Sequence, residues 1–213
     1  MRLLGFFFRL MYGTFAWTYD YVAESVSIGR WKDWVQTVLP YLRGTHILEL
    51  GHGPGHLQQI LLDRELVSIG LDRSRQMGKL AKNRLHKNGY TKFRLTSGEA
   101  QNLPFKNECF DTIFATFPTE YFYDSRTLEE ALRTLKIGGR YIVLPVAWIT
   151  GNGILDRVAA LLFQITGQAP SDLKLETNER LADPIKDVGF SVQVEYVEIK
   201  SSRALIFIAT KEE

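Results

Sequence analysis

The chain predicts an α/β fold: a three-layer, doubly wound, mostly parallel sheet closed by an antiparallel C-terminal strand. Three observations predict it. Apolar strand-like runs alternate with helix-period segments from residue 43 to residue 144. The run Ile47 to Leu50 empties into a glycine-spaced turn, Gly51-His52-Gly53-Pro54-Gly55, and a helical segment, Leu57 to Leu62, follows at once. Near the end, Phe190–Ile199 and Ala204–Thr210 are separated by Lys200–Arg203 alone. A connection that short cannot cross over, so those two strands pair antiparallel.

Residues 1–42 read as a helical cap. Leu3, Leu4, Phe7, Phe8, Met11 and Phe15 fall on one helical face, with Arg2 and Arg9 beside it. Two readings stand: a helix packed over the cofactor or substrate mouth, and a membrane-surface helix that reaches lipophilic substrate. Arg9 cuts the apolar stretch below what a signal peptide needs. Trp31, Trp34, Val35, Val38 and Leu39 lie at helical spacing and predict a helix over Gly29 to Leu42 that feeds the first strand.

Residues 43–144 carry the alternating core. After the glycine turn, Leu66 to Asp72 is a second strand ending in an acid, and Ser74 to Leu85 is a helix capped by Ser74 and ended by Gly89. Leu128 to Leu135 is a further helix. Residues 145–183 exceed a simple crossover, and Ile154, Val158, Leu161, Leu162 and Ile165 recur there at helical spacing. Residues 184–213 hold a short helix opened by Asp183-Pro184 and stopped at Gly189, then the strand pair. The whole is most simply one domain.

The glycine turn is where chemistry is expected. Glycines let the backbone turn tightly and let a ligand approach the main chain, and the following helix offers free N–H groups and a positive dipole end. The dinucleotide fingerprint puts glycine at the first, third and sixth positions. Gly51 and Gly53 fit, but the sixth position is His56. Glu49, just before the glycines, would also repel a pyrophosphate. A ligand with a ribose and a cationic end, without phosphate, suits the site better. Asp72 follows Gly51 at about the 20-residue distance expected of a carboxylate that binds ribose hydroxyls.

Three further stretches complete a family pattern: Ser97-Gly98-Glu99-Ala100-Gln101-Asn102-Leu103-Pro104-Phe105, Cys109-Phe110-Asp111-Thr112-Ile113-Phe114-Ala115-Thr116-Phe117, and Leu135-Lys136-Ile137-Gly138-Gly139-Arg140-Tyr141-Ile142-Val143-Leu144. With the glycine turn they resemble, from Tyr41 to Leu144, the class I (Rossmann-like) S-adenosylmethionine-dependent methyltransferases. The branch most similar contains the quinone-biosynthesis C-methyltransferases. Each motif alone is weak; four in order are specific. The resemblance implies S-adenosylmethionine as cofactor and S-adenosylhomocysteine as product. It implies that Glu49 orients the methionyl end, that Gly51, Gly53 and Gly55 form the cradle, that Asp72 holds ribose, and that Glu99, here in place of the more usual Asp, meets the adenine edge with Ala100. His52, Arg73 and Thr116 complete the expected cofactor shell; His52 has an equal alternative as a backbone-only turn residue. The resemblance also makes residues 145–183 an apolar lid over the acceptor.

On the acceptor side, Phe117-Pro118-Thr119-Glu120-Tyr121-Phe122-Tyr123 follows the fourth strand, where this fold places substrate-facing groups. Phe117, Tyr121, Tyr12 and Tyr19 are candidate lining residues, with core packing as the alternative. Glu120 is the candidate catalytic base or ammonium-binding group, its alternative being a helix cap after Pro118. A base is needed only if the acceptor must lose a proton; otherwise positioning and water exclusion suffice.

Bulk properties exclude several classes. With 213 residues, 45% hydrophobic and 23% charged, the chain is an ordinary globular protein. A net charge of +2 without a concentrated basic face gives no reason to expect nucleic acid as a partner. The single cysteine, Cys109, cannot form an internal disulfide and suits a reducing compartment. No apolar run reaches a membrane span, so the expected location is cytoplasmic, with peripheral membrane contact through residues 1–11 as an option. No metal-ligand cluster or hydrolase triad stands out. The leading reading is a methyltransferase acting on a small lipophilic or amphiphilic acceptor. A membrane-surface phospholipid headgroup N-methyltransferase and a catalytically silent cofactor-binding regulatory subunit remain as alternatives. A NAD oxidoreductase is disfavoured by the glycine spacing and the antiparallel end.

Overall fold

In the computed structural model, which describes residues 29–151 and 180–213, strands and helices alternate as the sequence predicts. A short helix, α1 (Trp31–Val35), continues as a 3-10 turn, Gln36–Tyr41, and delivers the chain to β1 (Ile47–Leu50). The glycine turn then opens α2 (His56–Asp63), followed by β2 (Ser68–Asp72), α3 (Arg75–Lys87) and β3 (Arg94–Ser97). Next come β4 (Phe110–Thr116), a 3-10 turn Glu120–Tyr123, α4 (Ser125–Thr134) and a long β5 (Leu135–Ile149). The chain closes with α5 (Asp183–Asp187), β6 (Phe190–Ile199) and β7 (Ser202–Lys211).

The seven strands make one sheet of order β3-β2-β1-β4-β5-β7-β6. The first five are parallel to their neighbours, while β7 slots between β5 and β6 and runs antiparallel to both. The predicted hairpin forms, with a tighter connection than expected: Ile199 pairs with Ser202, leaving Lys200 and Ser201 as the turn.

Strand alternation sorts the core into two layers. Leu48, Leu50, Ile113, Ala115, Tyr141 and Val143 face one way, packed with Leu128 and Ala131 of α4 and Ile185 of α5. Ile47, Phe114, Ile142 and Leu144 face the other, packed with Trp34, Val35, Leu57 and Leu61 of α1 and α2. Glu49, two residues after Ile47, therefore points into the second layer, among apolar side chains.

Three boundaries differ from expectation. The helix expected over Gly29 to Leu42 is α-helical only through Val35, because Pro40 lacks an amide donor and its ring would clash with the carbonyl of Gln36; the chain tightens to 3-10 instead. Residues 145–149, assigned to the insertion by sequence, belong to β5, where Val146 to Ile149 pair with Leu205 to Ser202 of β7. The Gly138-Gly139 turn falls inside β5 as an irregularity: Leu135 faces Phe110 and Arg140 faces Thr112. Gly138 takes φ +76, and a Cβ on Gly139 would lie 2.8 Å from the Lys136 carbonyl oxygen. The amphipathic N-terminal stripe, Tyr12, Tyr19 and most of the expected lid lie outside the described residues.

Candidate functional site

The parallel strands end on one edge of the sheet, and the glycine turn lies across it. Leu50 is in register with Leu71, and Asp72 with Ser97, so the ends of β1, β2 and β3 stand side by side. A pocket opens between Trp31 and Val35 of α1, the turn, and the ends of β1 and β4. Five predicted cofactor residues line it: Glu49, Gly51, His52, Gly53 and Thr116.

Each glycine of the turn has a different job, and all three have positive φ, which glycine adopts without strain. Gly53 (φ +53) has no atom within 4 Å of where a Cβ would stand, so its face is open to a ligand. Over Gly51 (φ +71), a Cβ would meet the Tyr121 hydroxyl at 2.6 Å; that hydroxyl donates to the Leu50 carbonyl at 3.2 Å. At Gly55 (φ +84), a Cβ would stand 2.8 Å from Ala81 Cβ and 3.0 Å from its Cα. Gly55 thus allows the close approach of α3 to the turn. Helix packing is the work of the third glycine in dinucleotide folds, and here a glycine one position earlier in the turn makes that contact.

Asp72 ties the turn to β2. Its Oδ2 accepts from the Gly53 amide at 2.8 Å and its Oδ1 from the Ser74 amide at 2.7 Å. Each oxygen keeps a second lone pair, so the same carboxylate that fixes the turn can accept from ribose hydroxyls.

Glu49 is the site's buried charge, with 3% of its surface exposed. Burial pushes its carboxyl up from 4.5 to about 7, opposed by a hydrogen bond from Gln58 and reinforced by the charge of Asp72. The Gln58 bond is short, Nε2 to Oε2 at 2.6 Å, and Gln58 in turn accepts from the Ser68 hydroxyl at 3.0 Å. His52 is also buried, and its Nδ1 lies 2.7 Å from the Gly53 carbonyl oxygen. A carbonyl only accepts, so Nδ1 carries the proton. Burial lowers the imidazole's pKa against the pull of Asp72 and the backbone bonds, favouring the neutral ring. His52 is both a turn anchor and a pocket wall, which joins its two sequence readings.

The adenine-side candidates form an exposed rim. Arg73 and Glu99 pair at 3.2 Å, both well exposed. Ala100 is buried in the first core layer, so its side chain packs inward and its backbone is what remains for a ligand.

The acceptor-side candidates separate. Phe117 turns sharply (φ +46) and stacks on Trp31, centroids 4.3 Å apart, so it packs against α1. Its neighbour Thr116 and its partner Trp31 face the pocket instead. Glu120 is exposed at the start of the 3-10 turn. The 3-10 turn that follows Pro118 has Thr119 at its N-cap and no side-chain cap bond, while α4 beyond it is capped by Asp124, which accepts from the Arg126 amide at 3.0 Å.

Sequence reasoning missed Trp31, Val35, Gln58, Ser68 and Gly70. Gly70 sits mid-strand, where a Cβ would press on His52 Cδ2 (3.0 Å) and Gln58 Cδ (3.1 Å). Its signal was a glycine inside an apolar strand, which often marks close approach of another group. Among the described residues no group of His, Cys, Asp and Glu is arranged to hold a metal, and no helix is long and apolar enough to cross a membrane.

The site residues fit a ligand with a cationic end. A buried carboxylate raised to about 7 gains most from a positive partner, and the open face of Gly53 admits close approach.

Comparison with known proteins narrows the ligand. The profile of the ubiE/COQ5 methyltransferase family matches residues 9–165. A demethylmenaquinone methyltransferase of Symbiobacterium thermophilum is 32% identical over 146 residues, 64% of this chain and 57% of that protein. One from Thermotoga maritima is 33% identical over 132 residues, 59% of this chain and 56% of the relative. The chain thus spans little more than half the length of these relatives. Among solved structures, a SAM-dependent methyltransferase from Aquifex aeolicus superposes with TM-score 0.62 at 17% identity, covering 85% of this chain and 92% of that one. Phosphoethanolamine N-methyltransferase 2 of Haemonchus contortus, solved with phosphomonomethylethanolamine and S-adenosylhomocysteine, gives 0.63 at 17%, covering 91% and 57%. At such identity these two likenesses are of fold.

Proposed function

Because the chain belongs to the ubiE/COQ5 methyltransferase family, we propose that it binds S-adenosylmethionine at the glycine turn and methylates a ring carbon of a small quinone-type acceptor. The observation that carries the reading is the pocket itself: a buried Glu49 carboxyl, raised to about 7, beside an open glycine face, with Thr116 and Trp31 also in its lining. The names of the relatives support the acceptor class. The likeness to the phosphoethanolamine enzyme is one of fold and lends no weight to headgroup N-methylation.

When bound, the cofactor supplies an electrophilic methyl group whose leaving group is a neutral thioether. Glu49 holds the ammonium of the methionyl end, and Asp72 takes the ribose hydroxyls while keeping the turn closed. Arg73 and Glu99 flank the adenine edge. Trp31 and Thr116 form the wall against which the acceptor is positioned. In the reduced, hydroquinone form of the acceptor a ring carbon becomes nucleophilic when a ring hydroxyl loses its proton, and after the methyl is added the proton on that carbon passes to solvent, restoring the aromatic ring. Glu120, exposed beside the strand end, is the candidate to take the first of these. Peripheral membrane contact through residues 1–11 would suit a lipophilic quinone.

Titration calorimetry with S-adenosylhomocysteine and with NAD tests the cofactor reading. Binding of the first in the micromolar range and no heat with the second supports it; the reverse defeats it.

A further inference from the structure

Beneath the pocket runs a buried polar chain that methyl transfer does not itself require. The Ser68 hydroxyl donates to Gln58 Oε1 at 3.0 Å, and Gln58 Nε2 donates to Glu49 Oε2 at 2.6 Å. Gln58 is 1% exposed, Ser68 7% and Glu49 3%. Glu49 faces the pocket and Gln58 stands behind it. Gln58 lies on the face of α2 that buries Leu57 and Leu61, where an apolar side chain would pack without having to find hydrogen-bond partners.

Gly70 makes the room: a Cβ there would stand 3.1 Å from Gln58 Cδ. The order of donors is forced. The carboxylate accepts, so the amide nitrogen must face Glu49, and the amide oxygen then needs a donor, which Ser68 supplies. With Oε2 committed to Gln58, Oε1 is the oxygen left to meet a ligand cation.

We propose that Gln58, oriented by Ser68 and accommodated by Gly70, is a positioning residue that aims the Glu49 carboxylate at the amino-acid end of the bound cofactor. This rests on the reading of the pocket as a S-adenosylmethionine site. Gln58 never touches the ligand; it acts by holding one carboxylate oxygen and by favouring the charged form of Glu49 against its burial. Removing it turns the carboxylate loose and makes it harder to ionise.

The test uses two ligands that differ only at the end in question: S-adenosylhomocysteine, and methylthioadenosine, which has no amino-acid group. Gln58→Leu should weaken S-adenosylhomocysteine about tenfold, the size of a lost hydrogen bond to a charged group, and move the pH midpoint of its binding upward. Methylthioadenosine affinity should stay within about twofold. Equal loss for both ligands would mean that Gln58 merely holds the fold together, and no loss for either would mean that Glu49 is aimed without it; each result overturns the proposal. If Gln58→Leu does not fold, Ser68→Ala, which frees the amide to flip, should show the same selective loss to a smaller degree, and an unselective loss there overturns the proposal equally. Wild-type protein that binds methylthioadenosine but gains nothing from the amino-acid end refutes the aiming of Glu49 while leaving an adenosine site intact. Wild-type protein that binds neither ligand refutes the cofactor reading itself, and the proposal with it.

Discussion

Replacing Glu49 by Gln should make the ligand-free protein more stable and the cofactor site worse, and the stability gain should depend on pH in a way set by one buried carboxyl. Glu49 is raised from 4.5 to about 7, chiefly by burial. A raised acid favours folding while it is neutral in both states, so its contribution is fully present below about pH 4.5 and is lost as pH rises through about 7. A shift of this size corresponds to about 3 kcal/mol at most. Gln has no proton to lose and still accepts from Gln58 Nε2 through its amide oxygen. The difference in unfolding free energy between Glu49→Gln and wild type should therefore grow by about 2–3 kcal/mol between about pH 4.5 and pH 8. Urea unfolding of both proteins without ligand measures it, and other titrating groups cancel in the difference. The variant should at the same time lose about tenfold or more in S-adenosylhomocysteine affinity at the higher pH. A stability difference that stays flat across that range would mean that Glu49 ionises as freely in the fold as in the unfolded chain, and that its burial does not raise it.

Other outcomes follow from the same geometry. Asp72→Ala should weaken S-adenosylhomocysteine by about 1.5–3 kcal/mol and also loosen the turn, since it frees the Gly53 and Ser74 amides; unchanged affinity by calorimetry would remove Asp72 from the site. Gly55→Ala should cost about 1–3 kcal/mol of stability by denaturant unfolding, because its Cβ would press on Ala81 at positive φ. Glu120→Gln should lower kcat about 10²–10⁴-fold with cofactor affinity unchanged if Glu120 is the base, and should mainly raise KM if it only attracts the acceptor; normal single-turnover rate and KM would exclude both roles.

Much of this architecture is legible in the sequence because its signals are local. The glycine turn, the acid ending β2, the Ser74 cap and the two-strand end each depend on residues close together in the chain, and each forms as predicted. What the sequence conceals is long-range. The edge strand β3 is half exposed and lacks a buried face of its own, so periodicity does not announce it. Gln58 looks like a polar position on an amphipathic helix until the sheet brings Glu49 and Ser68 to it. Phe117 sits where a substrate residue belongs in the order of motifs, yet its positive φ turns the ring onto Trp31, whose own place at the pocket is visible only once α1 docks. Gly55 fits a cofactor motif by spacing, but its neighbour in space is Ala81.

A sulfonium cofactor held at Glu49 is expected to deliver its methyl to a quinone-type ring. Purified protein given methyl-labelled S-adenosylmethionine and reduced demethylmenaquinone tests it most directly, with the product identified by mass spectrometry. One labelled methyl is expected on a ring carbon, formed by wild type and strongly diminished in Glu49→Gln. Label appearing instead on a nitrogen of a lipid headgroup, or no transfer to the quinone by protein shown to bind the cofactor, would contradict it.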